Sequence, residues 1–141
     1  AKAESLASEL GGRTVGSLEE LLKKSDAIVA ATTSREPVVL GSIVKSGALI
    51  ASIGAPKPVR ELDREVIRRS KCLLVDTREG VMSESEDWVG AESILELSEA
   101  LRGASCEWGD VRVYKSVGYS LLDLAVAIHL YERSRALQAP P

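Results

Sequence analysis

Three short apolar runs constrain this chain more than any other feature. They are Ala27-Ile28-Val29-Ala30-Ala31-Thr32, Ala48-Leu49-Ile50-Ala51-Ser52-Ile53 and Cys72-Leu73-Leu74-Val75-Asp76. A strand with one wet face alternates apolar and polar residues, and these do not. Unalternated runs of this length are what strands buried on both faces produce, the usual state in a parallel sheet. Helical patterns lie between and around the runs. Ala3, Leu6, Ala7 and Leu10 share one helical face before Gly11-Gly12. Ser17 with Glu20 forms a capping box ahead of Leu18, Leu21 and Leu22. A weak helix is predicted over 42–45 and a better one from Asp63, as N-cap, to Arg69. Another is expected from Ser93 to Arg102 ahead of Gly103, and a long closing helix from Tyr119 to Leu137. Arg13 to Val15 reads as a very short strand, Val111 to Tyr114 as an alternating one, and 84–90 as a polar loop whose Glu84, Glu86 and Asp87 face solvent. Strand alternating with helix at this spacing predicts an α/β fold with a parallel sheet.

Composition narrows the chemistry. The 141 residues carry 18 Lys+Arg against 21 Asp+Glu, a formal net charge of −3. That balance argues against a nucleic-acid partner or a polybasic membrane patch. No apolar stretch reaches the roughly 18 residues that a membrane span needs, and the opening residues do not read as a signal peptide. A single histidine, His129, excludes a multi-histidine metal centre, reads as a helix-face residue, and leaves no metal site expected. Neither a G-x-S-x-G elbow nor a G-x-x-x-x-G-K-[ST] loop occurs. With no Phe, 2 Trp and 3 Tyr, there is no aromatic platform for single-stranded bases. Cys72 and Cys106 are too few and too far apart for a disulfide framework or a zinc site. Cys72 reads as an inert buried thiol, and a reduced cytoplasm is the expected location.

Open α/β sheets bind ligands outside the carboxyl ends of their strands. Those ends are Thr32-Thr33-Ser34, Ser52-Ile53-Gly54-Ala55-Pro56 and Asp76-Thr77-Arg78. Thr32 and Thr33 offer hydroxyls and amides suited to a ribose, a phosphate or a nicotinamide amide, and fit an ordinary polar turn before Pro37 equally well. Gly54 permits close backbone approach to a ligand or simply makes a turn before Pro56 and Pro58. Lys115-Ser116-Val117-Gly118 joins a strand to the long helix. Ser116 and the amides near Gly118 would therefore face a polar ligand, or Ser116 would only cap the helix.

Taken together, these residues resemble the ornithine cyclodeaminase/mu-crystallin family. The resemblance is carried by Thr32-Thr33-Ser34-Arg35-Glu36-Pro37-Val38-Val39, Ile53-Gly54-Ala55, Arg60-Glu61-Leu62-Asp63, Val75-Asp76 with Arg78-Glu79, and Tyr114-Lys115-Ser116-Val117-Gly118, in that order. It continues through Asp123-Leu124-Ala125 and Tyr131-Glu132. The resemblance implies the C-terminal part of a Rossmann-type, doubly wound parallel sheet. Residues 1–110 would be a partial NAD(P)-binding domain, and 111–141 a strand-helix segment returning toward a substrate and dimerisation domain. It implies NAD or NADP as cofactor, a small amino or imino acid as substrate, and a homo-oligomer. Thr32, Thr33, Ser52, Ile53, Gly54 and Ser116 match cofactor positions, and Val117 and Gly118 match the segment beside the substrate.

Two departures shape the expectation. No G-x-G-x-x-G is present, so the pyrophosphate loop, and the amino-terminal domain with the family's catalytic groups, are expected in a missing segment or a second chain. No catalytic residue is assigned here. Cyclodeaminases also carry an Asp about two residues beyond the glycine matching Gly54, where this chain has Pro56. The favoured reading is therefore an alanine dehydrogenase or ketimine reductase type of oxidoreductase. The alternatives are ornithine cyclodeaminase, converting ornithine to proline with bound NAD, and a non-catalytic dinucleotide-binding module. In the expected sheet the runs at 27–32, 48–53 and 72–76 lie side by side as strands 4, 5 and 6, with Arg13 to Val15 as strand 3.

Overall fold

The computed structural model describes residues 2–54 and 57–138. Each apolar run forms a strand: β1 (Ala27–Ala30), β2 (Leu49–Ser52) and β3 (Cys72–Val75). Two more follow, β4 (Ser93–Glu96) and β5 (Arg112–Lys115). All neighbours pair in parallel, in the order β1-β2-β5-β3-β4. The helices are α1 (Lys2–Glu9), α2 (Leu18–Lys24), α3 (Arg64–Ser70), α4 (Arg78–Glu84), α5 (Leu97–Leu101) and α6 (Ser120–Gln138). The expected α/β class with a parallel sheet is the fold observed.

The register builds the buried face row by row. Ile28, Ile50, Val113 and Leu73 lie side by side across four strands. The next row toward the carboxyl ends is Ala30, Ser52, Lys115 and Val75, all buried. Leu22 of α2, Val66 and Ile67 of α3 and Val81 of α4 join the first row in one apolar cluster. The opposite face is bare at its β1 end, where Val29 is 70% and Leu49 51% exposed.

Local signals hold where a helix is self-contained. Ser17 accepts from Glu20 N at 3.1 Å, and Asp63 accepts from Val66 N at 2.8 Å, each at the helix start read from sequence. Several expectations are corrected. The runs at 48–53 and 72–76 are not neighbours, because β5 enters between them. An apolar run marks a strand and not which strand it pairs with, nor that both faces are covered: Val29 of β1 and Leu49 of β2 are exposed. Ser93–Glu96 is a strand rather than the first turn of a helix: its pairing with Cys72–Val75 outweighs the helical spacing, and the helix starts only at Leu97. Arg13 to Val15 and 42–45 form neither a strand nor a helix, and 78–84 is a helix not anticipated.

Cys72 is bonded to Cys106 in a disulfide across 34 residues. This overturns the reading of Cys72 as an inert thiol: the loop before β5 returns past the amino end of β3, a proximity that sequence separation does not show. Among the described residues no helix is long and apolar enough to cross a membrane. His129 lies on the exposed surface of α6.

Candidate functional site

At the carboxyl ends of β2 and β5, Ile53, Gly54, Glu84 and Val117 line a pocket of about 240 Å³. Ile53, Gly54 and Val117 were singled out from sequence as ligand-facing, and the fold brings all four lining residues to one place from three separate stretches of chain. Ile53 is 52% exposed, so an apolar surface stands open at the strand end. Ala55 and Pro56, the rest of that expected turn, lie outside the described residues.

Beneath the pocket is a buried polar network. Glu61, fully buried, accepts from Thr32 N at 2.6 Å, Ser52 Oγ at 2.7 Å and Gly54 N at 2.9 Å. It thereby ties the ends of β1 and β2 together. A Cβ at position 54 would lie 2.6 Å from both Glu61 Oε1 and Thr32 O. Position 54 is therefore glycine for the protein's own close approach, whether or not a ligand is bound. Lys115, also fully buried, donates to Ser52 Oγ at 3.0 Å and to the Gly54 carbonyl, and its ammonium lies 3.1 Å from Asp87 Oδ2. Asp87 in turn accepts from Leu62 N at 3.3 Å. The sequence placed Asp87 in a solvated loop. The structure buries it completely, because the charge needs a partner and Lys115 supplies one across 28 residues of chain.

Burial raises the Glu61 pKa, but the Ser52 hydroxyl and the Thr32 and Gly54 amides together outweigh it and hold the carboxyl below its ordinary value of 4.5. A depressed folded-state pKa means that the unfolded chain binds more protons near pH 4. The stabilisation is therefore complete above about pH 4.5 and is lost as pH falls through the folded value. Thermal unfolding measured from pH 7 to pH 3 is expected to show this acid limb, and Glu61→Gln is expected to start lower at pH 7 and fall less steeply. Parallel curves for the two proteins would refute this assignment.

The other side of the pocket is held by Asp76, at the end of β3. Its Oδ2 accepts from Ser116 Oγ at 2.8 Å, Val117 N at 3.0 Å and Gly118 N at 2.9 Å, and its Oδ1 from Thr77 N at 2.9 Å. The amides expected to face a ligand at the start of α6 thus face a carboxylate of the protein itself. Thr32 is half-buried over Glu61, Thr33 is exposed at the strand end, and Ser52 lies below the surface within the network.

The match to the ornithine cyclodeaminase/mu-crystallin family model runs over residues 2–138. The chain belongs to this family. It is 38% identical over 138 residues to the ketimine reductase mu-crystallin of the mouse (Mus musculus), covering 92% of this chain and 43% of the mouse protein. Among solved structures, Δ1-pyrroline-2-carboxylate reductase from Thermococcus litoralis, in complex with NADH and L-proline, superposes with a TM-score of 0.79 at 34% identity. That likeness covers 97% of this chain and 47% of that one. An archaeal alanine dehydrogenase dimer with bound NAD gives 0.75 at 26% identity, covering 99% and 47%. The chain therefore spans less than half the length of these family members.

Sequence reasoning placed Asp76 at a ligand-facing strand end and Glu61 in the family motif without giving either a role, and it read Glu84 and Asp87 as parts of a solvated loop. The signal for Glu84 is tertiary, since the helix over 78–84 that carries it was not anticipated. Gly80 sits one helical turn before it, and a Cβ at Gly80 would lie 3.2 Å from Val117 Cγ2. In an i, i+4 pair, Glu84 shares the face that looks toward Val117.

Proposed function

We propose that this chain is the cofactor-facing part of an NAD(P)-dependent oxidoreductase that acts on an amino or imino acid, of the alanine dehydrogenase or ketimine reductase kind. The observation that carries the reading is the convergence of Ile53, Gly54, Glu84 and Val117 on one pocket outside the carboxyl ends of β2 and β5. These residues fit the nicotinamide end of a dinucleotide: an exposed apolar Ile53, a Gly54 without a side chain, and Val117 opposite. Thr32 and Thr33 would lie along it, with Ser52 and Ser116 supporting the two sides. The cofactor, when bound, supplies or accepts the hydride. What the chain's own residues do is orient and exclude water. Glu84, the carboxylate in the pocket lining, is placed to orient the nitrogen of the amino or imino acid. Pro56, where the resemblance to cyclodeaminases calls for Asp, supports a reductase over cyclisation of ornithine.

α6 carries Leu121, Leu124, Val126, Ile128, Leu130 and Tyr131, all between 48% and 63% exposed. A helix apolar on nearly every side is one that packs inside a larger body. Residues 111–141 would accordingly return toward a substrate and dimerisation domain of a homo-oligomer, acting in the cytoplasm where NAD(P)H is available.

The test uses the full-length protein. NADH and NADPH binding is followed by fluorescence, and oxidation of the reduced cofactor at 340 nm with Δ1-pyrroline-2-carboxylate and with pyruvate plus ammonia. Oxidation with either substrate is the expected result. Ammonia release from ornithine without net cofactor turnover, or no cofactor binding, would overturn the reading.

A further inference from the structure

We infer that Asp76 is a positioning residue that fixes the Val117-Gly118 segment against the substrate side of the pocket. The inference rests on the function proposed above. Asp76 is 5% exposed and is not among the residues lining the pocket, so it does not itself touch a ligand there. Both of its oxygens are engaged, one by three donors from consecutive residues 116, 117 and 118 and the other by Thr77 N. Successive N–H groups converging on one oxygen form an anion-binding concavity. Here the anion is built into the chain, delivered by the neighbouring strand across 40 residues.

The loop has few other anchors. Ser116 N donates to Ser52 O at 3.0 Å, which ties the start of the loop to β2. Beyond that point Gly118 adopts φ +90, its N–H also reaching Ser116 Oγ at 3.2 Å, and the chain passes into the exposed α6. Val117, whose side chain lines the pocket, is therefore held in place through its own N–H and those of its neighbour, by Asp76. On the opposite side Glu61 holds Thr32 and Gly54 in the same way. Each wall of the pocket thus has one buried carboxylate behind it. Glu61 stands behind Thr32 and Gly54, assigned to the cofactor. Asp76 stands behind Val117 and Gly118, assigned to the substrate, while the cofactor-matched Ser116 keeps its own tie to β2 through its N–H.

Asp76→Asn keeps the shape and removes the charge. An amide has one accepting end, so its NH2 must meet an N–H, either of Thr77 or of the loop. The loop donors then lose a charge-assisted acceptor. In the full-length protein we expect D76N to raise KM for Δ1-pyrroline-2-carboxylate tenfold or more, with the NAD(P)H Kd changed less than twofold. Backbone hydrogen exchange is expected to quicken at Val117 and Gly118 while β5 keeps its protection. Ser116→Ala, which removes one of the three loop donors and leaves the two amide bonds to Asp76 in place, is expected to quicken exchange at Val117 and Gly118 to a smaller degree, and it serves if D76N does not fold. Equal loosening of substrate and cofactor, or a lower Tm with both constants unchanged, would overturn the inference. Wild-type protein that turns over no imino acid would refute the proposed function alone. Hydrogen exchange would then decide separately, since unchanged exchange at Val117 and Gly118 in D76N excludes Asp76 as the residue holding the loop.

Discussion

Lys115→Met is expected to destabilise the protein by about 3–5 kcal/mol, the range for breaking a buried ion pair from one side. The variant keeps the volume of the side chain and removes its charge. Asp87, fully buried, is then left with Leu62 N as its hydrogen-bond donor and no counter-charge, while Ser52 Oγ and the Gly54 carbonyl each lose a donor. The cost comes from the orphaned carboxylate more than from the lost lysine, and a second variant separates the two. In Lys115→Met with Asp87→Asn, the amide oxygen still accepts from Leu62 N and no charge remains stranded, so a large part of the loss should return. Urea unfolding at constant m-value gives both numbers. A single variant within about 1 kcal/mol of wild type would show that the pair contributes no more than an exposed one does.

The second large effect is the disulfide. Cys72–Cys106 closes a loop across 34 residues. In the chain-entropy account, cross-linking residues that far apart lowers the entropy of the unfolded state enough to stabilise the fold by about 3–4 kcal/mol. Cys106→Ser, or the wild type under strong reductant, is therefore expected to unfold at lower denaturant by that amount. In a reducing compartment the protein would work with the bridge open and correspondingly less margin. An unchanged midpoint with and without reductant would mean that the two thiols are not paired in solution. Since the bridge lies at the amino end of β3, away from the pocket at the carboxyl ends, ligand binding is expected to survive its loss.

The sequence by itself determined the elements whose physics is local. Unalternated apolar runs marked β1, β2 and β3 as strands, although burial on both faces holds for β3 and not for β1 and β2, which leave Val29 and Leu49 on the bare face. Ser17 and Asp63 marked two helix starts because a cap satisfies amides only two or three residues away. The motif order identified the family, and with it the strand ends where Ile53, Gly54 and Val117 meet. Tertiary structure alone decided everything that depends on which distant segments become neighbours. It placed β5 between β2 and β3, which puts Lys115 beside Ser52 and within reach of Asp87. It made Ser93–Glu96 a strand, since four residues of apolar and polar character fit either period until a partner strand is present. It buried Asp87, read in sequence as part of a solvated loop, and it gave Glu61 and Asp76, known from sequence only as motif and strand-end residues, their buried partners. A carboxylate's own neighbours in sequence do not reveal whether amides, a hydroxyl or an ammonium will converge on it. The deciding donors, Thr32 N for Glu61, residues 116–118 for Asp76 and Lys115 for Asp87, arrive from residues tens of positions away, and only the closed sheet brings them close.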